Sequence, residues 1–144
     1  MICLGVDPGL SRVGLALGQD SLALALKTVD FVGAVEKISA LVLEKKLERI
    51  YVGLPVSLSG ASTQSTKRAV EFAASIVNTV AIPVYVIDER LTTAQSLRLA
   101  QQAGKSAKES KKFVDAEAAR LIVESAISSG HTLGVELGEY LARN

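Results

Sequence analysis

The spacing of hydrophobic residues differs between the two parts of the chain. Up to about residue 30 it is typical of β-strands. Residues 2–6 form an unbroken apolar run that stops at Asp7, directly before Pro8 and Gly9. Apolar side chains on both faces of such a run are typical of a central strand, which Pro8 and Gly9 would end. Two further short apolar stretches lie between turn residues, which favours two more strands in antiparallel pairing. These predicted strands cover residues 12–18 and 21–29.

Beyond residue 30 the pattern alternates between helical and strand periods. Apolar residues recur every three or four positions in the helical segments, while the strand segments are short runs rich in Val, Ile and Tyr. A helix that begins at Thr92 is further indicated because Gln95 follows three residues later, as in a capping box. The predicted elements are helices 32–46, 63–78, 92–103 and 113–129, strands 49–53 and 83–87, and an exposed loop 104–112.

Three meandering strands followed by alternating helices and strands predict an α/β fold. The sheet would be mixed and five-stranded, with three antiparallel N-terminal strands, two parallel strands and helices on both faces. We expect one domain over residues 1–130, because 144 residues suit a single core and no linker is visible. Residues 131–144 are then a tail, either mobile or packed through Val135, Leu137 and Leu141.

Composition excludes several classes of protein without selecting one. Hydrophobic residues make up 49% and charged residues 22%, so a folded globular chain is expected. The single cysteine, Cys3, excludes an internal disulfide, and no apolar run is long enough for a membrane span. No signal-peptide pattern is visible, so we expect a cytoplasmic protein. The net charge of +1 neither indicates nor excludes nucleic acid, because binding depends on how charge is distributed.

Asp115 is the most informative acid, because it shares a helix face with apolar residues. Spacings of three, four, seven, eight and eleven residues from Asp115 place a small apolar set on its own side of the helix. This set is Ala118, Ala119, Ile122, Val123 and Ala126. An ionised carboxylate that faces the sheet is costly without a partner or a metal. The alternative is an acid placed in the first turn by the helix dipole.

Two further acids stand at the ends of predicted strands, where sites form in such sheets. The first is Asp7, at the end of the first strand. The second, at the end of the last strand, is Glu89 or its neighbour Asp88. Together with Asp115 they can bring three carboxylates into one pocket, and we expect no Lys or Arg on the same strand faces. Clustered carboxylates raise one another's pKa unless a cation joins them. Oxygen ligands favour Mg²⁺ or Mn²⁺, which can activate water and stabilise the leaving oxygen in phosphodiester cleavage.

The basic residues near these acids each allow two interpretations. Arg12 and Arg90 flank the strand-end acids, where they bind substrate phosphate or balance the acids by ion pairing. The lysines of the 104–112 loop either contact phosphates near the acids or belong to a solvated loop. The candidate lysines are Lys105, Lys111 and Lys112.

Four motifs occur in order along residues 1–130. They are Asp7-x-Gly9-x-x-Arg12-x-Gly14-x-Ala16, Gly53-Leu54-Pro55 with Gly60 and Gln64 beyond, Asp88-Glu89-Arg90-Leu91-Thr92-Thr93, and Asp115-Ala116-x-Ala118-Ala119. As a set they resemble the YqgF family of RuvX-like proteins, which are described as pre-16S rRNA nucleases and as Holliday-junction-resolvase-like. In one departure, Leu10 and Ser11 stand before Arg12, where a more basic pair is expected.

The resemblance implies a ribonuclease-H-like fold, with catalytic and metal-binding roles for Asp7, Glu89 and Asp115. It implies a Mg²⁺- or Mn²⁺-dependent hydrolase, an endonuclease that matures the 5′ end of the 16S rRNA precursor. One alternative is a resolvase that cuts four-way DNA junctions, which should act as a two-fold dimer. Another is a nucleic-acid-binding module without activity. We therefore expect a partner that is structured RNA or branched DNA, no membrane, and a monomer or homodimer.

Overall fold

A mixed sheet with helices on both faces forms the centre of the molecule. The computed structural model describes residues 1–97 and 108–143. Within the second range, only the backbone is described for residues 108–113. The strands are β1 (Ile2–Pro8), β2 (Arg12–Gln19), β3 (Leu22–Asp30), β4 (Arg49–Leu54), β5 (Val84–Asp88) and β6 (Val135–Glu136). The helices are α1 (Ala34–Glu44), α2 (Gln64–Val77), α3 (Lys108–Ser128) and α4 (Leu137–Arg143), and Glu89–Leu91 form a 3₁₀ turn.

The strand order is β3-β2-β1-β4-β5-β6, so β1 is central as predicted. It pairs antiparallel with β2 and parallel with β4, and β4 in turn pairs parallel with β5. The mixed topology is confirmed, but the prediction of five strands is wrong. The sixth strand, β6, adds to β5 through the antiparallel pair Val86 and Val135. A two-residue strand is too short to show a period, so only its long-range pairing reveals it.

The two faces of the sheet bury separate apolar cores. On one face α1, α2 and α4 contribute Ile38, Phe72 and Leu137 to a core with strand residues. On the other face α3 packs Ile122 and Val123 against the strands. Successive residues of a strand alternate between these cores, because strand side chains point to opposite faces in turn. None of the described helices combines the length and the apolar character needed to cross a membrane.

Helix α3 includes residues for which the sequence predicts a loop. The predicted loop is wrong for residues 108–112, whose backbone already belongs to α3. Lys and Glu are good helix formers and neither Gly nor Pro interrupts this stretch, so the helix begins before its apolar stripe does. Residues 94–97 are helical, and the rest of the predicted 92–103 helix lies outside the described residues. Thr92 Oγ1 accepts from the backbone N–H of Ala94 at 3.1 Å, but the Thr92 N–H, which Gln95 would bind in a capping box, donates to the Glu89 carbonyl oxygen at 3.0 Å.

The C-terminal residues 131–143 are packed against the rest of the molecule, which is one of the two alternatives for the tail. After β6, α4 buries Leu137, which is 3% exposed, against the core beneath α1 and α2. Leu141 is half exposed and does not share this burial. The tail thereby completes both an edge of the sheet and one of its cores.

Helix α3 lies directly on the sheet because glycines occupy the strand positions beneath it. A Cβ on Gly5 would overlap Val123 and would lie 2.6 Å from the carbonyl oxygen of Ala119. A Cβ on Gly14 would overlap the carbonyl group of Asp115. Both obstacles include backbone atoms, which cannot move aside as the end of a flexible side chain does. These contacts fix the distance between helix and sheet.

We expect Gly5→Ala to lower the free energy of unfolding by roughly 2–3 kcal/mol, because the added methyl forces α3 away from the sheet. Urea denaturation measures the change. The matched control is Gly138→Ala in α4, where an added Cβ meets no other atom within 4 Å. The control should be neutral or slightly stabilising, since Ala favours a helix more than Gly does. Equal stability of the two variants would show that the close contact is unimportant.

Candidate active site

Asp7 is buried near the carboxyl end of the central strand β1, with its carboxylate on the α3 face. It is 1% exposed, and its partner across the antiparallel pair is Gly14. Alternation along β1 gives Asp7 the same direction as Cys3, which belongs to the α3-side core, and as Gly5, which faces Val123. The predicted strand-end carboxylate is therefore directed beneath the first turns of α3.

Glu89 approaches the same face from the end of β5. It is 1% exposed, and its Oε1 would lie 3.1 Å from a Cβ built on Gly53 of β4. Gly53 follows the pair Val6–Val52, so it lies beside Asp7 on the neighbouring strand. Neighbouring strands are roughly 4.8 Å apart. The missing side chain of Gly53 thus leaves the space that the Glu89 carboxylate enters, next to Asp7.

Asp115 is 9% exposed, and its own backbone rests on Gly14, opposite Asp7. The inward direction that the helical pattern predicts is confirmed. Arg12 pairs with Asp115, with 3.5 Å between Nε and Oδ2, and its side chain is 11% exposed. The expectation that no cation shares these faces is therefore wrong. Arg12 has the same strand parity as Gly14 and faces α3, so the alternation along β2 was the signal that could have revealed this pair.

Arg90 forms a bidentate ion pair with Asp88. Its Nη2 donates to Asp88 Oδ2 at 2.7 Å, and its Nε donates to both carboxylate oxygens of Asp88. Its Nη1 reaches the carbonyl oxygen of Leu58 at 3.5 Å, which ties the loop before α2 to the end of β5. Of the two candidates at this strand end, Glu89 is the buried acid, whereas Asp88 is 27% exposed and pairs with Arg90.

The predicted lysines cannot be placed at the acids from the described residues. Lys105 lies outside them, and Lys111 and Lys112 belong to the backbone-only first turns of α3. Their contacts with nucleic acid stay predictions.

A cavity of about 280 Å³ adjoins the acids on the side of the β1–β2 turn. Arg12 and Asp115 line it, and so does Arg68 from the second turn of α2. Sequence reasoning missed Arg68, because a lone basic residue in an amphipathic helix has no distinguishing spacing. The signal available was Thr63-x-x-Thr66, whose capping box fixes where α2 begins and therefore where Arg68 lies.

Burial changes the protonation of Glu89. Removal from water and the neighbouring Asp88 carboxylate raise the pKa of Glu89 from 4.5 to about 7. A cation that binds beside Glu89 would favour the ionised form and reverse this shift. Without a cation, Glu89 is therefore partly protonated near neutral pH, and a bound cation would ionise it.

The chemistry of the donors fits a hard divalent cation, because Asp7, Glu89 and Asp115 offer carboxylate oxygens alone. Among the side chains that the structure describes, those of residues 1–97 and 114–143, however, no group of three or more His, Cys, Asp or Glu is arranged to hold one ion. Mg²⁺ does not require such a cage, since it usually keeps several waters and binds one or two carboxylates together with substrate phosphates. The residues present fit an ion that the substrate helps to hold.

Solved structures share the fold. The chain superimposes on RuvC of Thermus thermophilus in complex with Holliday junction substrate with a TM-score of 0.58 and 15% identity. The match covers 94% of this chain and 99% of that one, and a second Thermus thermophilus RuvC structure gives a TM-score of 0.57. The protein therefore has a ribonuclease-H-like fold, as the sequence motifs imply.

Sequence comparison identifies the family of the chain, which the shared fold alone does not. Residues 1–129 match the family model described as RuvX, Holliday junction resolvase. A protein of Leifsonia xyli named "Putative pre-16S rRNA nuclease" is 37% identical, over 88% of this chain and 84% of its own. One of the same name from Clavibacter michiganensis is 33% identical, over 98% and 91%. The chain belongs to the RuvX family, and the resemblance stated from its motifs is confirmed.

The raised pKa of Glu89 predicts how stability depends on pH in the metal-free protein. Because the folded pKa of about 7 exceeds the ordinary 4.5, this group's contribution is complete below 4.5 and is lost as pH rises through 7. Glu89→Gln imitates the protonated acid, so it should raise the thermal midpoint at about pH 8 and change it little at about pH 4. The gain in the free energy of unfolding should not exceed about 3 kcal/mol, the free energy that corresponds to the pKa shift from 4.5 to about 7. Thermal melts with chelator measure it, and equal midpoints at the higher pH would contradict the burial of an ionised Glu89.

Proposed function

We propose that this protein is a divalent-metal-dependent endonuclease that processes the 5′ end of the 16S rRNA precursor. The observation that carries the proposal is the burial of Asp7, Glu89 and Asp115 between one face of the sheet and helix α3, to which Asp115 itself belongs. Burial of three carboxylates lowers the stability of the fold, and ion pairing in the interior offsets this cost only in part, so a functional role is the better explanation. The names of the relatives support RNA as the substrate.

Asp7, Glu89 and Asp115 are the residues that would hold Mg²⁺ or Mn²⁺. Such an ion lowers the pKa of bound water and stabilises the leaving oxygen of a phosphodiester. Asp7 lies within β1, and Glu89 is the first residue of the 3₁₀ turn that directly follows β5, so both are held by regular backbone next to the sheet. Arg12 lies 3.5 Å from Asp115 Oδ2, so it would stabilise the ionised carboxylate before a metal binds.

The second candidate is a resolvase that cuts four-way DNA junctions with the same acids. The description of the family model and the junction in the RuvC complex favour it. A resolvase cuts two strands symmetrically and therefore needs a two-fold dimer, whereas a single cut in RNA does not. The distinction is thus one of substrate and of assembly, and both can be measured on the same preparation.

Cleavage should depend on the metal and on the acids. With Mg²⁺ or Mn²⁺ the protein should cut a structured RNA that contains the 5′ flank of the 16S rRNA precursor, and chelator should abolish the cut. Asp7→Asn and Asp115→Asn should each reduce the rate by a factor of at least about a thousand, since both remove a ligand charge. Gel assays of the RNA and of a four-way DNA junction provide the measurement.

The matched control for these variants is Asp20→Asn, an equal change in a carboxylate that is 85% exposed. It should cleave like the wild-type protein. Nucleic-acid binding with no cut under any metal condition would leave a binding module and refute the enzyme. Symmetric cuts in the junction by a dimer, with intact RNA, would instead select the resolvase.

The two acids at the end of β5 should differ in their effect. Glu89→Gln should abolish cleavage, because this carboxylate lies beside Asp7 on the α3 face. Asp88→Asn should keep most of the activity and lower the thermal midpoint, since Asp88 holds Arg90 and the loop before α2. Initial cleavage rates and melting curves of both variants measure the difference. If Asp88→Asn lost more activity than Glu89→Gln, Asp88 would be the metal ligand.

A further inference from the structure

We infer that Arg68 and Arg12 form a subsite for a backbone phosphate of the RNA, next to the phosphate that is cleaved. This inference rests on the proposed function and adds a residue, Arg68, to the substrate-binding surface. The subsite is the cavity between the β1–β2 turn and helix α2. Its volume of about 280 Å³ is several times the roughly 30 Å³ that a water molecule occupies, which is enough for a phosphate group.

Arg68 is held in position by two contacts. Its Nη2 donates to the carbonyl oxygen of Leu10 at 2.9 Å, in the turn between β1 and β2. Its Cζ lies over the Phe31 ring, 4.9 Å from the ring centroid, which is a favourable cation–π contact. A guanidinium has five N–H donors, so one hydrogen bond to Leu10 leaves others for an anion. A side chain ordered beforehand loses little entropy when it binds.

The charge of the cavity favours an anion. Among its lining residues, two guanidiniums, those of Arg12 and Arg68, stand against one carboxylate, that of Asp115. Arg12 already pairs with Asp115, and within the described residues no carboxylate forms an ion pair with Arg68. One positive charge is therefore left over on the wall formed by α2. A phosphate oxygen that binds in the fork of an arginine satisfies this charge and accepts hydrogen bonds at once.

The position of the cavity selects which phosphate it takes. Arg12 and Asp115 belong both to the cavity and to the acid site, so the two are continuous. A strand whose reacting phosphate lies over Asp7 and Asp115 must pass on to one side, and the cavity opens beside Pro8 and Gly9 at that point. Phosphate contacts of this kind fix register on the strand without reading its sequence.

The test compares Arg68→Ala with Lys67→Ala, which removes the same charge from the neighbouring position of α2. Lys67 is exposed and does not line the cavity. Binding of a labelled hairpin RNA is measured over a range of salt with chelator present, and cleavage kinetics are measured separately with Mg²⁺. Arg68→Ala should weaken binding about tenfold and lower the salt slope by about one. It should raise KM by a similar factor with kcat nearly unchanged.

Lys67→Ala should stay close to the wild-type protein, and Arg68→Lys should recover part of the affinity, since it keeps the charge and loses the fork. Circular dichroism confirms that the variants are folded at the assay temperature. Wild-type affinity and KM in Arg68→Ala, or an equal loss in Lys67→Ala, would overturn the subsite even if the RNA is cut. A loss confined to a four-way DNA junction would overturn its assignment to RNA. A selective loss of RNA binding in a protein that cuts nothing would support the subsite and refute only the nuclease.

Discussion

The contact between helix α3 and the strand glycines is the constraint on which the site depends. Gly5 and Gly14 let the helix backbone touch the sheet, and at Gly14 the touching group is the carbonyl of Asp115 itself. Because Gly14 is the cross-strand partner of Asp7, the same contact that packs the helix also brings two distant acids together. At Gly53 the neighbours are side chains: a Cβ there would overlap Ile122 of α3 and would lie 3.1 Å from Glu89 Oε1. Packing and site geometry are therefore one arrangement.

This arrangement has an electrostatic cost that the fold offsets only in part. Asp115 has Arg12 beside it at the start of β2, while Glu89 responds to burial by a raised pKa. Both are the responses expected of carboxylates removed from water, one by pairing and one by taking up a proton. A divalent cation at this face would replace both compensations with one stronger interaction. The stability of the fold and the affinity for the ion are therefore coupled.

The sequence was sufficient for the elements that have a clear period and for the direction of Asp115. Its helical spacing placed it on the buried stripe before any contact was known, and the apolar run before Asp7 marked a central strand. It was insufficient wherever a feature depends on register between distant segments. The pairing of Arg12 with Asp115 needs the position of α3 over β2, and β6 exists only through its pairing with β5. The cavity with Arg68 needs the same kind of information.

The burial of Cys3 has a practical consequence for spectroscopy. The thiol lies in the core beneath α3, and burial raises its pKa to about 11, so at neutral pH it is neither accessible nor a thiolate. It is also the only cysteine of the chain. A second cysteine placed on the surface can therefore carry a fluorophore or a spin label selectively, with Cys3 left in place. Distances from such a label can follow the approach of a nucleic-acid strand in solution without disturbing the core.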